Sequence, residues 1–368
     1  LIILVLGFKE LGGWDEMMRV CGAVTVNDYG DTMTNLIRSN DDANFPWLGA
    51  LIGSAIIGFW YWCTDQFIVQ RVLSGKNEME ARRGTIFGAY LKLLPVFLFL
   101  IPGMIAFALH QKYIGAGGEG FLPMLANGTA NADAAFPTLV AKLLPAGVKG
   151  LVVCGILAAL MSSLASLFNS SAMLFTIDFY KRFRPETPEK KLVGIGQVAT
   201  VVIVILGILW IPIMRSVGDV LYTYLQDVQS VLAPGIAAAF LLGICWKRTS
   251  AQGGMWGLIA GMVIGLTRLG AKVYYSNAGE VADSTFKYLF YDMNWLFFCG
   301  WMFLFCIIVV IVVSLATEAP TAEKIQGLVF GTATKEQKAA TRASWNHWDI
   351  IHTVIILAIT GAFYWYFW

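Results

Sequence analysis

Four short stretches of this chain hold side chains able to do chemistry within otherwise apolar sequence. Lys92 stands in Gly88-Ala-Tyr-Leu-Lys-Leu-Leu-Pro95, one turn before a proline. A charge inside a membrane span is costly, so an ammonium there usually faces a cavity or a partner and donates hydrogen bonds to it. The alternative is a lysine whose stem snorkels to the headgroups. A second stretch, Phe59-Trp-Tyr-Trp-Cys-Thr-Asp-Gln-Phe-Ile-Val-Gln-Arg71, sets Trp60, Tyr61 and Trp62 side by side. Three successive rings on a helix cannot all face lipid. A flat ring over a sugar face gives a carbohydrate site its apolar wall, although such rings also serve purely as packing. Asp65, Gln66 and Gln70 follow and read equally as an inner gate or as a helix cap.

The third stretch repeats small residues at helical spacing, with Ala159, Ser162, Ser163 and Ser166 on one face. Hard cations take oxygen ligands, and neutral hydroxyls with carbonyls can hold Na⁺ without trapping it. The same pattern is a small-residue packing face if the hydroxyls bond back to their own helix. In the fourth, Leu221-Tyr-Thr-Tyr-Leu-Gln-Asp-Val-Gln-Ser-Val-Leu-Ala-Pro-Gly235, the residues Gln226, Asp227 and Gln229 precede a proline–glycine pair. That pair predicts a span bent or broken near its middle, the usual mark of a transporter binding site.

The elements that must position these residues follow from composition. Hydrophobic residues make up 57% of the chain and charged residues 14%, where a soluble domain carries about 25% charged. Mean hydropathy is +0.66. The charges are expected in short connectors, which leaves long apolar runs that must cross a bilayer as helices. Spans are predicted at about 47–72, 84–110, 148–180, 192–214, 221–246, 253–273, 295–315 and 347–368. They follow an opening run, Leu1 to Phe8, that reads as the tail of a preceding span. Bases gather in loops 73–83, 181–191, 247–252 and 316–346, which places those loops in the cytoplasm; the acidic stretch 9–46 and the loops 111–147 and 274–294 fall outside. Asn127-Gly-Thr129 fits a glycosylation signal in one of those outer loops. The net charge of +2 gives no reason to expect a nucleic-acid partner, and the six cysteines show no metal spacing. No nucleophile or acid–base constellation is present to suggest an enzyme, and His110, His347 and His352 all lie at span ends.

Taken together, the segments Trp60 to Asn77, Gly88 to Pro95, Leu160 to Ser170 and Phe240-Leu-Leu-Gly-Ile-Cys-Trp-Lys-Arg248 followed by Gly253-Gly-Met-Trp-Gly257 resemble the sodium/solute symporter family, within it the sodium/glucose cotransporter branch. The resemblance implies an all-α polytopic membrane protein with an inverted-repeat, LeuT-like symporter fold. By it, residues 1–8 end a transmembrane helix, 9–46 form an extracellular loop, 47–246 form the second five-helix repeat, and 247–368 form peripheral helices. It further implies a plasma (inner) membrane location and Na⁺-coupled uptake of a hexose, with a myo-inositol or other polyol symporter and a non-transporting sugar sensor as alternatives. Tyr61 is then the gate ring stacked on the sugar, with Trp62 beside it and Lys92 and Gln226 bonding its hydroxyls. Asp65, Gln66 and Gln229 become gate residues. The Ala159 carbonyl and the Ser162 and Ser163 hydroxyls become half of a sodium site. Two departures matter: Gly58 lacks the polar side chain some relatives place there, and Ala165 stands where two-sodium members carry a hydroxyl, which argues for one Na⁺ per sugar.

Overall fold

The computed structural model describes residues 1–125, 128–217, 221–277 and 282–368, so the glycosylation signal at Asn127 lies outside the described residues. The chain divides into two compact units, Leu1–Met17 with Phe97–Val220, and Met18–Val96 with Leu221–Trp368.

The helices, in chain order, are α1 (Ile2–Leu11), α2 (Trp14–Gly22), α3 (Trp47–Cys63), α4 (Gln66–Leu73), α5 (Glu78–Pro95), α6 (Ile101–Gly115), α7 (Ala135–Leu143), α8 (Ala146–Leu174), α9 (Glu189–Val217), α10 (Leu221–Cys245), α11 (Ala251–Asn277), α12 (Trp295–Ala316), α13 (Lys335–Ala343) and α14 (His347–Tyr366). Their starts follow local rules. Asn77 caps α5, its side chain accepting from the Glu80 N–H at 2.9 Å. Asn294 caps α12 through the Leu296 N–H at 2.8 Å, and Asn346 with Asp349 forms a reciprocal capping box at α14. Each satisfies backbone donors of a first turn that have no partner within the helix. After Pro95, which lacks an N–H and crowds the preceding turn, the ladder widens into a π-helical turn at Val96–Leu100.

Seven of the described helical stretches are long and apolar enough to cross a membrane, and the protein is a multi-pass α-helical membrane protein. The expected first span, 47–72, is different: α3 and α4 are bent by 52° at Thr64 and Asp65, and only if the pair crosses as one span does the number reach eight. The break has a local cause. The Thr64 hydroxyl donates to the Trp60 carbonyl at 2.7 Å, and the Asp65 carboxylate accepts from the Phe67 N–H at 2.9 Å, ending one helix and capping the next. At Pro234-Gly235 the helix does not break: α10 runs on through that pair. The expected loops also contain helices: α2 within 9–46, α7 within 111–147 and α13 within 316–346.

In the first unit α1, α6 and α7 pack on one another, and α8 packs on α9. The α8 and α9 surfaces keep side chains such as Leu151, Leu157, Val198 and Leu209 exposed, as apolar faces meant for lipid require. In the second unit α3, α10, α11 and α12 form the core, with Ile56, Ile57, Ala233, Ala237, Leu296 and Cys299 buried together. Small residues let these backbones touch. A Cβ added to Gly261 of α11 would lie 2.9 Å from the Cα of Gly235 on α10, and one added to Gly53 of α3 would lie 2.9 Å from the Leu296 carbonyl of α12. Gly235 therefore serves close packing where the sequence pattern pointed to a break.

Candidate functional site

The bend after α3 puts the end of that helix beside α5. Tyr61 and Trp62 meet edge to face, ring centroids 5.3 Å apart at 87°. The Lys92 ammonium lies over both rings, 5.6 Å from the Tyr61 centroid and 5.2 Å from that of Trp62. Three sequence-predicted residues from two helices are thus brought into one corner. Its chemistry is that of a carbohydrate wall: two ring faces for the apolar side of a sugar and a mobile cationic donor for its hydroxyls. Lys92 and Trp62 are exposed and Tyr61 partly so, which leaves room for a ligand.

Gln226 is engaged elsewhere. Its amide donates to the Tyr222 hydroxyl at 2.8 Å, one turn earlier on α10. The helices carrying Gln226 and Tyr61 do pack on each other, with Phe59 against Phe240 at 6.1 Å between centroids. Gln229 is half-buried on the same helix. Of the proposed gate residues, Asp65 caps α4 and Gln66 is that helix's first residue.

Ala159, Ser162 and Ser163 belong to the other unit, on an exposed stretch of α8. Ser166 turns its hydroxyl back onto the Ser162 carbonyl at 3.0 Å. That takes up one oxygen of the expected face, while the Ser162 and Ser163 hydroxyls stay on the helix surface. Carbonyl and hydroxyl oxygens of this kind suit Na⁺.

Sequence reasoning missed Arg268 and Lys272, which stand towards the end of an apolar run. Both lie within α11, an apolar candidate span, and both reach Asp227 of α10. The rule that picked out Lys92, a charge inside an apolar run, applies equally to Arg268 in Gly265-Leu-Thr-Arg-Leu-Gly270. A cavity of about 670 Å³ opens between the start of α5 and the start of α14, lined by Val72, Arg82, Thr85, Trp345, Asp349 and Val354 among others, and none of the sequence-predicted site residues borders it.

A family model described as the sodium:solute symporter family matches residues 1–261. Among curated proteins, the whole chain is 34% identical to a sodium/mannose cotransporter of Bos taurus, covering 65% of it. A sodium/myo-inositol cotransporter 2 of Homo sapiens is 38% identical over 81% of this chain and 44% of its own length. A sodium/glucose cotransporter 4 of Mus musculus is 34% identical over 90% of this chain and 50% of its own length. The chain thus spans between 44% and 65% of the length of these three relatives. Among solved structures, that of a Na⁺-coupled sialic acid symporter in a substrate-bound outward-open state superposes with a TM-score of 0.60 at 19% identity, covering 87% of this chain and 59% of that one. At that identity the likeness speaks for the fold, which is LeuT-like.

Proposed function

This chain belongs to the sodium:solute symporter family, and from that premise we propose that it couples inward Na⁺ movement to uptake of a hexose by alternating access. The observation that carries the sugar reading is the Lys92 ammonium poised over the Tyr61 and Trp62 rings. A sugar sealed under Tyr61 stacks its apolar face on the ring, while Lys92 and Gln226 donate to its hydroxyls. Ala159, Ser162 and Ser163 contribute one half of the Na⁺ site, and Ala165 in place of a hydroxyl favours one Na⁺ per sugar. Asp65, Gln66 and Gln229 act as gate residues at the ends of their helices. Coupling needs only that each ligand raise the other's affinity, a reciprocal free energy of about 1–3 kcal/mol.

In this reading residues 47–246 are the second five-helix repeat, 247–368 are peripheral helices, and 9–46 face the outside. The protein sits in the plasma (inner) membrane with loops 73–83, 181–191, 247–252 and 316–346 in the cytoplasm. A polyol such as myo-inositol is the second reading, favoured by the 38% identity to a sodium/myo-inositol cotransporter. The same donors and rings would serve it, and Gly58, with no atom within 4 Å of a Cβ placed there, leaves space beside Tyr61 for either ligand.

The test is uptake of labelled glucose, galactose and myo-inositol by the full-length protein in proteoliposomes, with and without an inward Na⁺ gradient. Sodium-driven accumulation of a hexose, abolished in the Ser162→Ala, Ser163→Ala double variant, supports the proposal; accumulation of myo-inositol alone selects the polyol reading. No sodium dependence for any of the three rejects both.

A further inference from the structure

A buried cluster of charges in the second unit lies outside the transport site as proposed. Asp227 is 6% exposed and Arg268 fully buried. The Lys272 ammonium contacts one carboxylate oxygen of Asp227 at 2.6 Å, and the Arg268 guanidinium reaches the other at 3.5 Å. Arg268 also donates to the Met293 carbonyl at 2.8 Å and to the Leu289 carbonyl at 3.4 Å, and lies 4.0 Å over the Phe298 ring. Those two carbonyls close the π-helical turn Tyr288–Asp292 that leads into α12, where partial negative charge collects at a helix end. One carboxylate therefore serves Lys272 most tightly, and carbonyls and a ring face serve Arg268. Three elements, α10, α11 and the entry to α12, are tied at this point.

Such a cluster is a poor device for stability. It holds two cations against one carboxylate, and the Arg268 Nε finds no hydrogen-bond partner among the described residues. Buried ion clusters of this kind are often matched or bettered by apolar residues of similar volume. What they do fix is geometry, since each partner accepts few arrangements. The geometry fixed here is the rotation of α10 about its axis. Gln226 directly precedes Asp227, about 100° round the helix, and with Asp227 held on the α11 side its amide is turned away to meet Tyr222.

We infer that Asp227, clasped by Lys272 and Arg268, is a positioning residue that sets the direction in which Gln226 presents its amide to the transported solute. The inference rests on the sugar-binding role proposed above for Gln226.

Lys272→Met is the informative variant, because it removes the tight contact and leaves a balanced Asp227–Arg268 pair able to fold. In the full-length protein the expected result is a sugar KM raised roughly three- to tenfold, the effect of one poorly placed hydrogen bond. The kcat and the half-saturating Na⁺ concentration should be unchanged, and Lys272→Arg should restore KM. Amide hydrogen exchange over residues 222–229 should quicken in Lys272→Met and not in Lys272→Arg. A wild-type KM in Lys272→Met, or a loss of kcat and Na⁺ affinity in parallel with KM, overturns the positioning role. If the wild type accumulates no sugar, the function proposed above fails, and exchange alone decides whether the clasp exists: unchanged rates over 222–229 reject it.

Discussion

At the scale of single residues, the proposed sugar corner of Lys92, Tyr61 and Trp62 sets its cation over the faces of its own two rings. A cation over an aromatic face contributes about 0.5–1 kcal/mol when exposed and about 2 kcal/mol when desolvated. A bound sugar that shields the corner from water therefore strengthens the contact that helps to hold it. Lys92→Met, which keeps the apolar stem and removes the donor, should raise the sugar KM of sodium-driven uptake about tenfold or more, as the loss of a charged hydrogen-bond donor implies. Tyr61→Phe should change KM little, whereas Tyr61→Ala should abolish measurable uptake; equal effects of the two would mean that the hydroxyl, and not the ring face, carries the interaction. This corner was legible in the sequence because a lysine and adjacent aromatics in an apolar run are each unusual. Arg268 and Lys272 escaped notice because they stand near the end of a run whose glycines and leucines read as ordinary span. Tyr222 escaped because a tyrosine next to a span end is the commonest interfacial residue.

At the scale of elements, two features turn on short polar side chains. Asp65 caps α4 at the bend, so Asp65→Ala should cost about 1 kcal/mol and Asp65→Asn almost nothing. A fall of a few degrees in the thermal midpoint for the alanine variant alone would show that the cap, and not the charge, holds the bend. The second is the connector between α2 and α3. Asn27 donates its side-chain amide to Asp31 at 2.7 Å and to Asp42 at 3.0 Å, and the N–H groups of Asn44 and Phe45 bond Asp42 at 2.9 and 2.7 Å. The Asn27 amide, then the Ser39 N–H, holds the Asp31 carboxyl below its ordinary value. For Asp42 burial works upward, yet the bonds from Phe45, Asn44 and Asn27 together with Arg38 outweigh it and hold this carboxyl low as well. Carboxyls lowered by folding stabilise the connector above the unfolded value of about 4 and lose that contribution as pH falls through the lower folded values. Protection of the amides over residues 27–45, taken against the intrinsic exchange rate at each pH, should therefore fall as pH drops below about 4. In Asn27→Ala the two carboxyls lie nearer their unfolded values, so the connector should start less protected and lose less protection over this pH range; an equal loss in both proteins would show that Asn27 does not lower them. The long spans were readable from hydropathy because hydrocarbon permits no other regular structure, whereas the short helices α2, α7 and α13 in the connectors were not. The bend at Asp65 and the unbroken α10 were not, since a cap and a glycine contact depend on neighbours: Gly235 looks like a breaker until Gly261 is seen against it.

At the scale of the whole molecule, what remains is direction: which ends of the spans face which side. Lys181, Arg182, Arg184, Lys190 and Lys191 crowd the connector between α8 and α9, whereas the connector between α6 and α7 carries only Glu119 and Asp133 as charged residues between Ala116 and Ala134. Retention of basic segments on the cytoplasmic side predicts the two connectors on opposite faces of the bilayer, and with them the two ends of α8, the helix that carries Ser162 and Ser163. The proposed alternating access requires such an arrangement, because in that proposal Na⁺ enters the α8 face from one side and leaves it on the other. Thiol labelling measures this directly. In a background where the exposed native cysteines Cys63, Cys154 and Cys245 are replaced by alanine, Glu119→Cys should react with a membrane-impermeant reagent applied to intact cells. Glu186→Cys should react only after permeabilisation. Both positions are exposed, so a lack of reaction would reflect the membrane and not burial. Labelling of both from the same side would mean that α8 does not cross, and would remove Ser162 and Ser163 from any path through the bilayer.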